Sequence, residues 1–142
     1  MKSLICYKTK HGATEKYMHW LADAINAELK TFDEIDRKDN FSDYDVLVVS
    51  SGTYAGLMPL NRFLKRHWKN LEDKKVVAVA VGAAPANDSW SQWSYKRITQ
   101  KIRDKIKYFK ILGETPENAR PAGYVSQVKK DNLKEVIAYI NA

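Results

Sequence analysis

Two runs in this chain, YDVLVVSS (44–51) and KKVVAVAVG (74–82), hold continuous apolar, β-branched-rich stretches, VLVV (46–49) and VVAVAV (76–81). A strand with one face in water alternates apolar and polar residues, whereas a continuous run belongs to a strand buried on both faces. Segments of helical spacing lie around these runs. After the short strand KSLICY (2–7), Met18, Leu21, Ala22, Ile25 and Leu29 predict a helix over 14–30. TFDEI (31–35) reads as a weak second strand. Pro59 suits a helix's first turn, and Leu60, Phe63, Leu64, His67 and Leu71 continue that helix. Tyr95, Ile98, Ile102 and Ile106 predict a helix over 91–107, YFKILGE (108–114) a fifth strand, and Leu133, Val136, Ile137 and Ile140 a terminal helix. Residues 36–43 are too few and too polar for a full helix between the second and third strands. Strands alternating with helices imply an α/β fold, a three-layer sandwich with helices on both faces of a parallel sheet. Five strands in the order 2-1-3-4-5 are the natural arrangement for this length.

The 142 residues show no repeat, linker or low-complexity tract, so the expectation is one domain over 1–142. No apolar run reaches the roughly 18 residues of a membrane span. The start MKSLICYKTKHG lacks a signal-peptide pattern, and the lone Cys6 has no internal disulfide partner. A cytoplasmic location is the expectation. The formal net charge of +7 is unevenly spread. Residues 1–60 hold seven Lys/Arg against nine Asp/Glu, residues 61–75 six against two, and residues 96–110 seven against one. Two basic helical segments follow, suited to acidic proteins, anionic membrane surfaces or other anions.

In an open parallel sheet, ligands bind beyond the carboxyl ends of the strands where the strand order reverses, here between the first and third strands. Three loops meet that edge. The first is TKHGAT, with Thr9, Lys10, His11, Gly12, Ala13 and Thr14. It leads into a helix N-terminus, whose unpaired N–H groups and partial positive charge suit a phosphate. It matches neither the Gly-Lys-Ser/Thr ending of a Walker loop nor G-x-G-x-x-G. The second loop contains Ser51, Gly52, Thr53, Tyr54, Ala55 and Gly56. Its glycines free the backbone, and Tyr54 is placed to stack on a planar ring. The third loop contains Gly82, Ala83, Ala84 and Pro85, then Trp90 and Trp93, either of which offers a second stacking face. A phosphate cradle with aromatic walls suits a phosphorylated planar cofactor.

TKHGAT after SLICY resembles the T-x-T-G-x-T phosphate loop of flavodoxins, with Thr9, Gly12 and Thr14 matching and His11 in place of the middle threonine. SSGTYAG resembles that family's second flavin loop, and the strand pattern is similar over essentially the whole chain. The most similar group is the small bacterial flavodoxin-domain proteins, which include the oxygen-independent, FMN-dependent protoporphyrinogen oxidase. The resemblance implies noncovalent FMN, its phosphate on Thr9 to Thr14 and its isoalloxazine between 51–57 and 82–93. The flavin then carries the electrons and the protein positions N5 and tunes the potential. In the family a backbone carbonyl beside the flavin turns toward N5–H when one electron is added; Gly52 and Gly56 are the flexible positions here.

Three departures stand out. His11 replaces a hydroxyl donor, the third loop lacks a Gly-Asp-Ser-Tyr segment, and the chain is basic where electron-shuttle flavodoxins are usually acidic. Loops 51–58 and 82–93 hold one acid, Asp88, so the reduced, anionic flavin is opposed less and its potential is expected to be less negative. The functional expectation is electron transfer with a redox partner protein or small-molecule acceptor, or a small FMN-dependent oxidoreductase. The chain has no room for the long insertion of the oxidase, so that activity is not assigned. The alternative is a flavin-free binding or regulatory module that uses Lys96, Arg97, Lys101, Arg103, Lys105 and Lys107 for nucleic acid or an acidic partner. No nucleic-acid motif supports specific recognition. A receiver-like module needs acids after the first strand, where Lys8 and Lys10 stand. Cys6 reads as core, His11, His19 and His67 show no metal-ligand spacing, and Trp20 falls off its helix's apolar face.

Overall fold

The computed structural model of the protein describes residues 2–54 and 56–142. Five parallel strands form one sheet: β1 (Ser3–Lys8), β2 (Glu28–Thr31), β3 (Val46–Gly52), β4 (Lys75–Gly82) and β5 (Lys107–Leu112). Their order is 2-1-3-4-5, as the run pattern predicts. The helices are α1 (Ala13–Ile25), α2 (Pro59–Leu71), α3 (Ser89–Lys96), α4 (Gln100–Arg103) and α5 (Lys134–Asn141). Because side chains alternate along a strand, the sheet divides one apolar run between two cores. Leu4, Cys6, Leu47, Val49 and Ala78 face the layer of α2 and α4, while Ile5, Val46, Val48, Val77 and Val79 face α1 and α5. β3 is buried at every position, which is why its sequence shows no polar alternation.

Four boundaries differ from the sequence expectation. α1 stops at Ile25 instead of running to residue 30. Asn26 takes a left-handed conformation (φ 54°, ψ 52°), and the Ala27 N–H donates to the Ala22 carbonyl, which closes the helix. Leu29, expected as the helix's last apolar position, therefore lies on β2, paired with Ile5. The second strand is ELKT rather than TFDEI; Phe32–Glu34 form a single 3-10 turn, with the Glu34 carboxylate accepting from the Thr31 N–H at 2.9 Å. The helix expected over 91–107 is two helices, because Thr99 is extended (φ −59°, ψ 145°). Ile98 and Ile102 are buried all the same, so the apolar spacing reports the core contact and not an unbroken helix. A 3-10 turn, Lys130–Leu133, precedes α5.

The Pro59 start of α2 is as expected, and Ser51 reinforces it. The Ser51 hydroxyl accepts from the Leu60 N–H at 3.1 Å and donates to the Gly52 carbonyl at 3.0 Å. Cys6 is fully buried, and burial pushes its thiol pKa up to about 12, so it is a core residue and no nucleophile. Trp20 is half-buried; it packs edge-on to Tyr17 and receives Lys16 and Lys130 on its ring.

Candidate functional site

The chain leaves β1, crosses to β2 and returns to β3 on the other side of β1, so the strand order reverses at β1 and β3. The three loops predicted to carry function all leave the carboxyl edge there or one strand away.

In the first loop Gly12 is the N-cap of α1, at φ 91°. A Cβ at that position meets nothing within 4 Å, so glycine is required by the backbone angle, not by space. The Gly12 N–H donates to Thr9 Oγ1 at 2.9 Å, closing the turn. The first helical hydrogen bond, from the Lys16 N–H to the Gly12 carbonyl, leaves the N–H groups of Ala13, Thr14 and Glu15 without intrahelical acceptors. Lys10, His11 and Gly12 are exposed, whereas Thr14 is buried. Glu15 brings a carboxylate into the first turn, where it accepts from the Tyr7 hydroxyl at 3.0 Å. The sequence reading did not include this pair.

The second loop is tightly closed. The Tyr54 and Leu57 backbones exchange hydrogen bonds of 2.7 and 2.9 Å, and Gly56 between them sits at φ 84°. The Ser94 hydroxyl donates to the Gly56 carbonyl at 2.8 Å. The two glycines thus differ. Gly52 is the last residue of β3, paired in the sheet, while Gly56 lies in the turn. Tyr54 folds back over Gly52, where an added Cβ meets its hydroxyl oxygen at 2.7 Å. Its ring stands 5.5 Å from Lys10 Nζ, so the first and second loops touch. Burial raises the Tyr54 phenol pKa, and the Lys10 backbone N–H opposes that rise. Ser51 is fully buried with its hydroxyl committed to the start of α2; Thr53 donates its N–H to the Val81 carbonyl and turns its hydroxyl onto Gly82. Ala55 lies outside the described residues.

The third loop runs from Gly82 through Ala83, Ala84 and Pro85 into α3. Asp88 caps that helix by accepting from the Trp90 N–H at 2.9 Å. Trp90 and Trp93 lie on α3 itself, edge to face at 5.8 Å. They are 58% and 42% exposed, large values for tryptophan. Both indoles border Gly56, and Trp93 covers it closely. The Arg97 guanidinium lies over Trp93, 4.8 Å from its ring centre.

One residue absent from the predicted site stands beneath it. Lys110 on β5 donates to the Ala84 carbonyl and to Ser91 Oγ at 3.1 Å, beside Gly82. Burial lowers its pKa below the ordinary lysine value, and Asp88 pulls the other way. A lysine inside the otherwise apolar YFKIL was the available signal.

This arrangement suits a ligand with a phosphate and a planar ring. Helix N–H groups, a glycine turn and two exposed cationic or neutral donors stand at one end; Tyr54, Trp90 and Trp93 stand at the other.

The flavodoxin-domain family model matches residues 4–115. The chain belongs to the flavodoxin-domain family. An uncharacterized protein of Methanocaldococcus jannaschii is 32% identical over 119 residues, 80% of this chain and 73% of that protein. The fold superposes on oxidised flavodoxin 2 of Bacillus cereus with a TM-score of 0.61 at 16% identity, covering 100% of both chains. It also superposes on a flavoprotein in complex with FMN from Lactobacillus acidophilus, with a TM-score of 0.54 at 17% identity over 78% of this chain and 91% of that one. Among the described residues of this flavodoxin-domain protein, no helix is long and apolar enough to cross a membrane.

Proposed function

We propose that this flavodoxin-domain protein binds FMN noncovalently and moves electrons, as a carrier between redox partners or as a small oxidoreductase. The observation that carries the reading is the meeting of the Gly12 helix start with the Tyr54 loop and the exposed Trp90–Trp93 pair at one sheet edge. In this reading the N–H groups of Ala13 to Glu15, with Thr9, Lys10 and His11, hold the phosphate, and the second and third loops hold the ring. FMN supplies one- and two-electron chemistry when bound. Gly56, outside the sheet, is the glycine suited to reorient beside it once its carbonyl leaves the Ser94 hydroxyl, because Gly52 is paired in the sheet. The partner is a redox protein or a small electron acceptor in the cytoplasm. Exposed cations on α2 and α3 offer docking to an acidic protein or an anionic membrane surface.

The test is spectroscopic. Purified protein is expected to be yellow, or to become so with added FMN, and to release flavin on denaturation. FMN is expected to bind more tightly than riboflavin, which lacks the phosphate. Protein that stays colourless and leaves FMN fluorescence unchanged overturns the reading. The flavin-free module then remains. It is favoured by the ion-pair pattern: neither of the two salt bridges among the described residues involves the α2 to α4 cations.

A further inference from the structure

We propose that the cleft between α2, the Phe32–Glu34 turn and the Tyr54–Leu57 loop is a second ligand site, and that it takes a small planar aromatic anion. The cleft has a volume of about 590 Å³, the size of ordinary small-molecule sites. It borders the second loop through Tyr54 and Leu57 but includes none of the residues from Thr9 to Thr14.

Its apolar wall is aromatic. Phe32 and Phe63 stack with ring centres 4.4 Å apart and planes 19° from parallel, and Met58 and the 52% exposed Leu57 adjoin them. Such a surface favours a flat ring over a flexible chain. Its rim is cationic. Lys8, Arg62, Lys65, Arg66 and Arg97 line it, and Asp33 is the one carboxylate lining it among the described residues. Arg62 and Arg66 stand four positions apart on α2, where like charges repel, and neither is in an ion pair among the described residues. A bound anion relieves that repulsion and turns two guanidinium groups into bidentate donors.

The stacked Phe32–Phe63 wall separates this cleft from a merely basic face. Two residues that line it hold buried polar atoms without a partner: Nδ1 of His67 and Oδ1 of Asn61. His67 is 4% exposed, and the Asn61 amide is oriented by its Nδ2 donating to the Arg97 carbonyl at 3.2 Å. Both atoms are closed off from solvent, so they lie beneath the cleft wall and set no requirement on what the cleft holds.

The probe is 3-hydroxy-2-naphthoate, titrated by calorimetry into the full chain, both FMN-free and in excess FMN. Its uncharged amide is the control. The expected result is saturable 1:1 binding of the naphthoate in both states, with the amide about tenfold weaker or more. The Arg62→Ala/Arg66→Ala variant, altered only at exposed positions, is expected to lose about tenfold in affinity. Lys101→Ala/Lys105→Ala, which removes equal charge elsewhere, is expected to lose less than about twofold. Failure to saturate, equal binding of the amide, or equal loss in both variants overturns the proposal. Displacement of the naphthoate by FMN also overturns it, because the probe is then in the flavin cradle. The FMN-free titration keeps this test separate from the fate of the flavin reading.

Discussion

Replacing Gly56 by alanine is expected to cost two separable amounts of stability. Gly56 sits at φ 84°, a left-handed conformation that costs an L-residue about 1–2 kcal/mol. An added Cβ also runs into the six-membered ring of Trp93 and comes within 3.1 Å of Trp90. Overpacking typically costs about 1–3 kcal/mol. Trp93 is 42% exposed and has room to move outward, which places its share near the low end. The total for Gly56→Ala is about 2–3 kcal/mol. For 142 residues the unfolding entropy is about 0.3 kcal/mol/K, so the melting temperature falls by about 7–10 °C. Gly12→Ala is the internal control. Its φ is 91°, but nothing lies within 4 Å of an added Cβ, so it loses the backbone amount alone, about 3–7 °C. Thermal melts followed by circular dichroism measure both. Adding Trp93→Ala to each background completes a double-mutant cycle, with a coupling of about 1 kcal/mol expected for Gly56 and none for Gly12. The reasoning is refuted if Gly56→Ala melts no lower than Gly12→Ala, or if Trp93→Ala leaves the Gly56→Ala cost unchanged.

Three more outcomes follow from the same geometry. Burial, then the nearby Arg66 charge, lowers the His67 pKa, and Asp39 only partly opposes them. The folded state therefore favours the neutral ring, and the unfolded chain takes up the proton first. His67's contribution is full above the ordinary histidine value of 6.5 and is lost as pH falls below it. Urea titrations at pH 7.5 and 5.5 are expected to show lower stability at the acid end, with a smaller difference in His67→Leu; an unchanged difference counts against His67. In FMN-loaded protein the fully reduced flavin is expected at a potential less negative than in acidic flavodoxins, since Asp88 is the one acid in the second and third loops. A redox titration matching the acidic carriers refutes this. Lys110 sits beside Gly82 and under Ala84, so Lys110→Met is expected to shift the potential negative by something on the order of tens of millivolts, and Lys110→Arg to shift it less. No shift in Lys110→Met removes the lysine from the account.

YDVLVVSS and KKVVAVAVG were sufficient to predict a doubly covered parallel sheet, because burial on both faces replaces apolar–polar alternation by a continuous apolar stretch, and the buried Ser50 and Ser51 are tolerated only with their hydroxyls bonded. The strand order followed from that and from chain length. The glycine turn at Gly12 was equally legible, since a strand handing over directly to a helix is a local event. The ends of helices were less so. Leu29 fits a helical stripe and a strand equally well, and only pairing with Ile5 decides between them. The break at Thr99 is hidden because Ile98 and Ile102 face the same core on either side of it.

The side-chain content of the site divides the same way. Thr9, Lys10, His11 and Gly12 lie together along the chain and could be proposed from local spacing. The contacts of Tyr54 with Gly52 and Lys10, of Trp93 with Gly56, and of Lys110 with Ala84 join residues brought together by strand order. So do the stacked Phe32–Phe63 pair and the arginines of the neighbouring cleft. Sequence by itself determined the layers, the strand order and the glycine turn that opens α1, because these rest on periodicity and on backbone angles local to the chain. Tertiary structure alone decided which glycine lies outside the sheet, which tryptophan covers it and where a buried lysine places its charge. Each of these depends on side chains from different strands and helices meeting across the sheet edge, a distance that local spacing does not encode.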